Sequence, residues 1–253
     1  MSEPLVLLHG AAMSAGAWRP VLGELARHHD VHVPTLAGHR GGVPLPDGTP
    51  ASVAALVDAV GAEMDDAGLA TAHVVGNSLG GWVALELARR GRARSVVALS
   101  PAGGWAGPLD LRRLVGLFRI GLALGATGGA RRAVHRRRGR RALLRTVMEH
   151  GERVPDDDLA AMIDDLVGCA VIRPLLAGAA AHGPLGPLTP LPCPVRIAWA
   201  AHDHVVPWRR YGHPLRRTVP DAEFVRLPGV GHVPMYDDPE LVGRTILQVT
   251  APA

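Results

Sequence analysis

Between Ala72 and Arg90 a strand, a serine flanked by glycines and a helix follow one another without a break. Ala72-His73-Val74-Val75 is a short apolar run free of breakers, which reads as a buried strand. Gly76-Asn77-Ser78-Leu79-Gly80 comes next, and Trp82, Leu85, Glu86 and Leu87 open a helix that runs to about Arg90 and stops at Gly91. In this setting G-x-S-x-G is a sharp strand-to-helix turn, with glycines on both sides because a Cβ there would meet the neighbouring strand or helix. The turn lifts the Ser78 side chain clear of the backbone. The amide of Leu79, at the start of the helix, is aimed at the same spot, which makes a nucleophile with an anion-binding donor beside it. The bare pentapeptide also occurs in ordinary turns, so its meaning depends on partners elsewhere in the chain.

The rest of the sequence repeats the strand-then-helix rhythm. Leu5-Val6-Leu7-Leu8 is a continuous apolar run of the kind buried on both faces of a sheet. It ends in His9-Gly10-Ala11-Ala12, and Trp18, Val21, Leu22 and Leu25 then recur at helical spacing. Asp30 to Pro34 reads as a second strand, and Val53, Leu56, Val57, Val60 and Met64 as the apolar face of a helix ended by Gly68. Further strands are expected at Ser95–Leu99, Val195–Trp199 and Phe224–Leu227, with a closing helix from about Pro239. Such alternation implies right-handed βαβ units and a mostly parallel sheet with helices on both faces. From 103 to 186 the rhythm stops, and glycine-broken helices take over. The expected organisation is therefore a core of residues 1–102 and 187–253, interrupted by a helical cap at 103–186.

A serine hydroxyl is a weak nucleophile that needs a base within reach, itself oriented by a carboxylate. In open α/β sheets these groups belong in loops after strand C-termini. Two loops qualify: Ala200-Ala201-His202-Asp203-His204-Val205-Val206-Pro207 offers Asp203, and Pro228-Gly229-Val230-Gly231-His232 offers His232. The chain order Ser, Asp, His is that of α/β-hydrolase triads. His202 and His204 flank Asp203, but no third ligand follows at zinc-like spacing, so they read as exposed loop histidines. Asp237 and Asp238 read as solvated residues before the last helix, with either as an alternative triad acid.

With those residues in hand, the sequence resembles the α/β-hydrolase fold superfamily, in its capped, serine esterase-like form. The strand followed by His9-Gly10, the Gly76–Gly80 turn, the Asp203 loop and Gly231-His232 carry the resemblance across nearly all of the chain outside the insertion. It implies a second oxyanion donor at the amide following the His-Gly pair, here Ala11, beside that of Leu79. It also implies a serine hydrolase that cleaves a carboxylic ester or thioester, with a small-molecule acyl substrate and no cofactor or metal. The family's first two strands are expected to be missing, since the chain opens at the His9-Gly10 strand. Its usual Asp-x-x-Gly-His-Gly is replaced by Thr35-Leu36-Ala37-Gly38-His39-Arg40-Gly41. Serine at 78, where the dehalogenase and epoxide-hydrolase branches resemble one another in carrying aspartate, argues against those two. C–C bond hydrolases, amidases, haloperoxidase-like members and non-catalytic small-molecule receptors of this fold remain open.

Composition narrows the setting. The 253 residues are 47% hydrophobic and 20% charged, enough to bury a sizeable core without metals or disulfides. Cys169 and Cys193 stand far apart in no metal-like spacing. Met1-Ser2-Glu3-Pro4 leads straight into a strand and leaves no room for a signal peptide, so a cytoplasmic protein is expected. All 27 basic residues are arginine, and between Leu111 and Met148 there is no Asp or Glu. Arg112, Arg113, Arg119, Arg131, Arg132, Arg136, Arg137, Arg138, Arg140, Arg141 and Arg145 lie in that stretch. Its plainest reading is a solvated helical face. An acidic carrier protein, an anionic substrate or anionic lipid are the functional readings, whereas the lack of interleaved aromatics argues against nucleic acid.

Overall fold

The computed structural model describes residues 2–250 except 128, 130, 131 and 133–135. Six strands form one wholly parallel sheet: β1 (Glu3–Leu8), β2 (His29–His32), β3 (Ala72–Asn77), β4 (Ala93–Leu99), β5 (Val195–Ala200) and β6 (Glu223–Leu227), in the order β2-β1-β3-β4-β5-β6. Every strand read from the sequence is present, within two residues at each end. The order reverses after β2, so consecutive crossovers cover opposite faces of the sheet.

The two-residue period of β1 explains the two layers. Leu5 and Leu7 point to one face, where Trp18, α1 (Arg19–Leu25) and α10 (Pro239–Thr250) close over them with Val21, Leu25, Val242 and Ile246. Val6 and Leu8 point to the other, covered by α2 (Val53–Asp66) and α3 (Leu79–Arg89) through Leu56, Val60, Val83 and Leu87. Each fully buried Leu of this kind contributes roughly 2 kcal/mol.

Between β4 and β5 the described residues contain no strand but four α-helices, α4 (Pro108–Gly125), α5 (Arg137–Leu144), α6 (Asp156–Gly168) and α7 (Ile172–His182), and one 3-10 turn at Gly151–Arg153. After β5, α8 (Trp208–Thr218) was not legible in the sequence, because Pro214 lies inside it and arginines crowd its surface. Burial of Tyr211 and Leu215 against the sheet outweighs those signals. A short turn of helix, α9 (Pro234–Asp237), precedes α10.

The insertion is tied to the sheet by carboxylates. Asp158 of α6 is buried, ion-paired with Arg19 and within 3.2 Å of the Tyr236 hydroxyl that donates to it. Asp165, two turns further on, accepts from the Ser14 hydroxyl at 2.5 Å and pairs with Arg40 at 3.3 Å. Asp237 corrects the sequence reading: far from solvated, it is 1% exposed, and its oxygens accept the amides of Gly231 (2.7 Å), Glu149 (2.9 Å) and His150 (2.7 Å). It is engaged with backbone, not with an imidazole, so it is not the alternative triad acid. Asp238 caps α10 through the Leu241 amide at 2.8 Å.

The arginine stretch is likewise not uniformly solvated. Arg140 is buried and bonded to the Val154 carbonyl and to Asp156, and Arg113 donates to the carbonyls of Val205 (2.9 Å) and His204 (2.7 Å). Arg112, Arg119, Arg132, Arg136, Arg138, Arg141 and Arg145 are exposed, whereas Arg131 and the side chain of Arg137 lie outside the described residues.

Gly76 and Gly80 show why the central turn needs glycine. A Cβ on Gly76 would lie 2.1 Å from the Gly80 carbonyl oxygen, and one on Gly80 would lie 2.2 Å from that of Leu8. Backbone cannot step aside as a side chain can. Gly80→Ala should therefore cost about 3 kcal/mol or more in urea unfolding, at the upper end of overpacking penalties. Gly61→Ala in α2 meets nothing within 4 Å and should be neutral or stabilising by about 0.5–1 kcal/mol. Equal effects of the two would sink the steric account.

Candidate active site

Ser78 occupies the turn between β3 and α3 with φ 54° and ψ −113°, a region that a residue with a Cβ adopts only under compulsion. Such geometry costs of order 1–3 kcal/mol and persists because the surroundings over-determine it. Here the Ser78 amide donates to the Leu99 carbonyl at 2.9 Å, and its carbonyl accepts from Ala102 (2.9 Å) and Trp82 (3.2 Å). Leu79 is the first residue of α3, so its N–H has no acceptor within the helix and remains available beside Ser78.

The structure brings Asp203 and His232 together. Asp203 Oδ2 accepts from His232 Nδ1 at 2.8 Å, with Asp203 6% and His232 5% exposed. The other carboxylate oxygen, Oδ1, accepts the amides of Val205 at 3.0 Å and Val206 at 2.8 Å. Burial pushes this carboxyl up. The charge and hydrogen bond of His232, the Val206 amide and the Ser100 hydroxyl outweigh burial and hold it below the usual carboxylate range. An ionised Asp203 fixes the imidazole tautomer with the proton on Nδ1, leaving Nε2 as a base.

Ser78 and His232 line one cavity of about 300 Å³, together with Gly10, Asn77, Phe118 and Leu124. A second cavity, of about 450 Å³, reaches Ser78 and Leu79 from the side of Trp82, Trp105, Leu111 and Leu175. Ala11 borders both. Among the described residues the Ser78 hydroxyl has no hydrogen bond of its own; contacts of this type commonly tighten only when substrate is bound. The five residues read from the sequence, Ser78, Asp203, His232, Ala11 and Leu79, thus lie around one locus. No cluster of three or more His, Cys, Asp or Glu side chains able to hold a metal ion occurs among the described residues.

The loop after β1 is set by His9. The ring is fully buried, its Nδ1 bonded to the Gly10 carbonyl (2.8 Å) while Nε2 accepts the Leu36 amide (2.9 Å). Burial, helped by the neighbouring His39, pushes its pKa down to about 3, so the ring is neutral and acts as a strut. The Gly10–Met13 turn that follows places Ala12 at φ 59°.

Three residues at the site escaped sequence reasoning. The Asn77 side chain donates to the carbonyls of His232 (2.9 Å) and Leu99 (3.2 Å), joining β3 to the histidine loop. Ser100, at φ 41°, ends β4 beside Asp203 and accepts the Ala200 amide at 3.1 Å. Arg113 reaches from α4 to brace the carbonyls of the acid loop. Asn77 sits inside the G-x-S-x-G motif and was the one with a local signal; the other two depend on tertiary placement.

Comparisons with known proteins agree with this fold. A model of the alpha/beta hydrolase family matches residues 5–245. An epoxide hydrolase, EphH, of Mycobacterium tuberculosis is 35% identical over 200 residues, covering 77% of this chain and 93% of its own. Among solved structures, the 2-hydroxy-6-oxo-6-phenylhexa-2,4-dienoate hydrolase of a Rhodococcus strain superposes with a TM-score of 0.74 at 24% identity, over 98% of this chain and 90% of its own. A thermophilic esterase from Thermogutta terrifontis gives 0.74 at 22% identity, over 98% and 89%. The two structures show the same fold.

Two measurements follow from the site. Because the folded pKa of His9 is about 3 against an ordinary 6.5, the unfolded chain binds the extra proton. The stability conferred by keeping His9 neutral is complete above pH 6.5 and is lost as pH falls toward 3. His9→Gln should be less stable at neutral pH but show a shallower acid decline over that window in thermal unfolding; a parallel decline would refute the strut. Asn77→Ala should cost about 1–3 kcal/mol by taking the Asn77 donor from the buried His232 carbonyl, while the Leu99 carbonyl keeps the Ser78 amide, and should lower kcat more than it raises KM, because it frees the His232 loop.

Proposed function

The chain belongs to the alpha/beta hydrolase family, and within it we propose a serine hydrolase that cleaves a carboxylic ester or thioester under a helical cap. The observation that carries this reading is the buried Asp203–His232 pair, 2.8 Å apart, on the wall of the cavity that also holds Ser78. In the proposed cycle Ser78 Oγ attacks the substrate carbonyl carbon as His232 Nε2 takes its proton. Asp203 stays ionised and stabilises the imidazolium. The oxyanion is held by the amides of Ala11 and Leu79, each typically worth a few kcal/mol to the transition state. His232 then protonates the leaving alcohol or thiol. Water, deprotonated by the same ring, releases the acyl group as a carboxylic acid and restores Ser78. The only co-reactant is water.

Mostly apolar walls on both cavities favour a substrate with apolar groups on either side of the ester. Proton return by His232 favours the leaving group in the smaller cavity, which His232 lines, and the acyl group in the larger one beside Leu79. The 35% identity to an epoxide hydrolase supports a second reading, epoxide opening. Against it stands the hydroxyl at position 78, together with the commitment of Asp203 to His232 and of Asp237 to backbone amides. Neither of these two carboxylates is thus free to attack an epoxide carbon.

A series of p-nitrophenyl esters of increasing acyl length, run beside styrene oxide, separates the two readings. Ester turnover abolished by Ser78→Ala, with the fold intact and wild-type Ser78 labelled by a fluorophosphonate, is the expected result. Asp203→Asn should lower kcat by about three to four orders of magnitude by releasing the wrong tautomer. Epoxide turnover that survives Ser78→Ala, with no ester turnover in the wild type, would overturn the assignment.

A further inference from the structure

We infer that the face around the mouth of the smaller cavity docks on an anionic lipid surface. α4 buries Leu111 and Leu114, yet its last turns present Ile120, 60% exposed, and Leu124, 48% exposed, with Val167 of α6 beside them at 45%. Gly121 and Gly125 bring the two helices close, since a Cβ on Gly125 would lie 3.4 Å from Leu166 and 3.5 Å from Val167. Large aliphatic side chains are seldom grouped in water without a partner. Ile120 and Leu124 also line the cavity that contains Ser78 and His232, so the apolar surface continues into the site.

The rim decides what that partner is. Leu143 and Leu144 of α5 line the opposite wall of the same cavity. The outward face of α5 carries Arg138, Arg141 and the adjoining Arg145 at i, i+3 and i+7, all exposed; Arg132 and Arg136 are exposed just before it, and Arg119 is exposed next to Ile120 in α4. Among the described residues Arg119, Arg132, Arg136, Arg138 and Arg145 have no acidic partner. Arginines around exposed aliphatic residues match an anionic headgroup layer over acyl chains. A soluble acidic protein would satisfy the arginines and leave Ile120, Leu124 and Val167 in water. No helix among the described residues is long and apolar enough to cross a membrane, so the contact is with one leaflet.

Docking requires no turnover, so the test uses the Ser78→Ala protein and stands or falls apart from the hydrolase reading. Co-sedimentation is measured with vesicles of pure phosphatidylcholine and of equimolar phosphatidylglycerol and phosphatidylcholine, at low and high salt. Binding to the anionic vesicles alone, weakened by salt, is the expected result. Each arginine at such a surface is worth roughly a fivefold factor. The triple change Arg136→Gln, Arg138→Gln, Arg145→Gln should therefore weaken binding about a hundredfold, with the thermal midpoint unchanged because all three are exposed. Ile120→Ser with Leu124→Ser should weaken binding at every salt concentration. Equal sedimentation with both vesicles, none with either, retention of binding in either variant, or binding to an acidic acyl-carrier protein with none to vesicles would overturn docking on lipid.

Discussion

Everything at the centre of this molecule depends on a short-range repulsion. α3 meets β3 and β1 so closely that a single methyl on Gly76 would overlap the Gly80 oxygen and one on Gly80 the Leu8 oxygen. That approach forces Ser78 into a positive-φ conformation from which its side chain cannot fold back onto the strand. Three backbone hydrogen bonds hold the strained residue, and the sheet register that supplies Leu99 as an acceptor extends across β4 to β5. The strain is local, but its support is the whole parallel sheet.

Around this turn, polar groups have been removed from water in a fixed order. Asp203 is buried yet keeps its charge, because His232, two amides and Ser100 replace the lost hydration. His9 is buried more deeply with no carboxylate among its partners, and it loses its charge. Two side chains with similar burial thus differ in ionisation through their neighbours. The first orients the His232 ring, and the second supports the loop that carries Ala11.

How much could be read in advance depended on whether the signal was local. The central strands were legible because parallel strands buried on both faces carry apolar runs, as in Leu5–Leu8 and Val96–Leu99, whereas the edge strands β2 and β6 are shorter and mix polar residues into the pattern. Ser78, Asp203 and His232 were legible because each sits in a short loop directly after such a run. α8 was hidden by Pro214, whose local cost is outweighed by burial of Tyr211 and Leu215, which no sequence window contains. Asp237 was misread for the same kind of reason: an acid before a terminal helix is normally solvated, and only the arrival of residues 149 and 150 from the insertion buries it. Arg113 and Arg140 looked like parts of a charged run, and their separate anchoring roles come from partners 92 and 16 residues away.

The carboxylates that fasten the insertion to the sheet bear on protein engineering. In Asp237 the core contributes an acceptor whose donors come partly from the insertion, and in Asp158 and Asp165 the insertion contributes acceptors whose donors come from the core. The two parts are therefore not interchangeable cassettes. A chimaera that kept this core and imported a foreign roof would leave Asp237 with the Gly231 amide as its remaining donor from this set, beside the histidine loop itself. Recombination breakpoints at the obvious ends of the insertion would thus damage the His232 loop from a distance. A productive graft has to carry the segment around Glu149 and His150 along with the sheet.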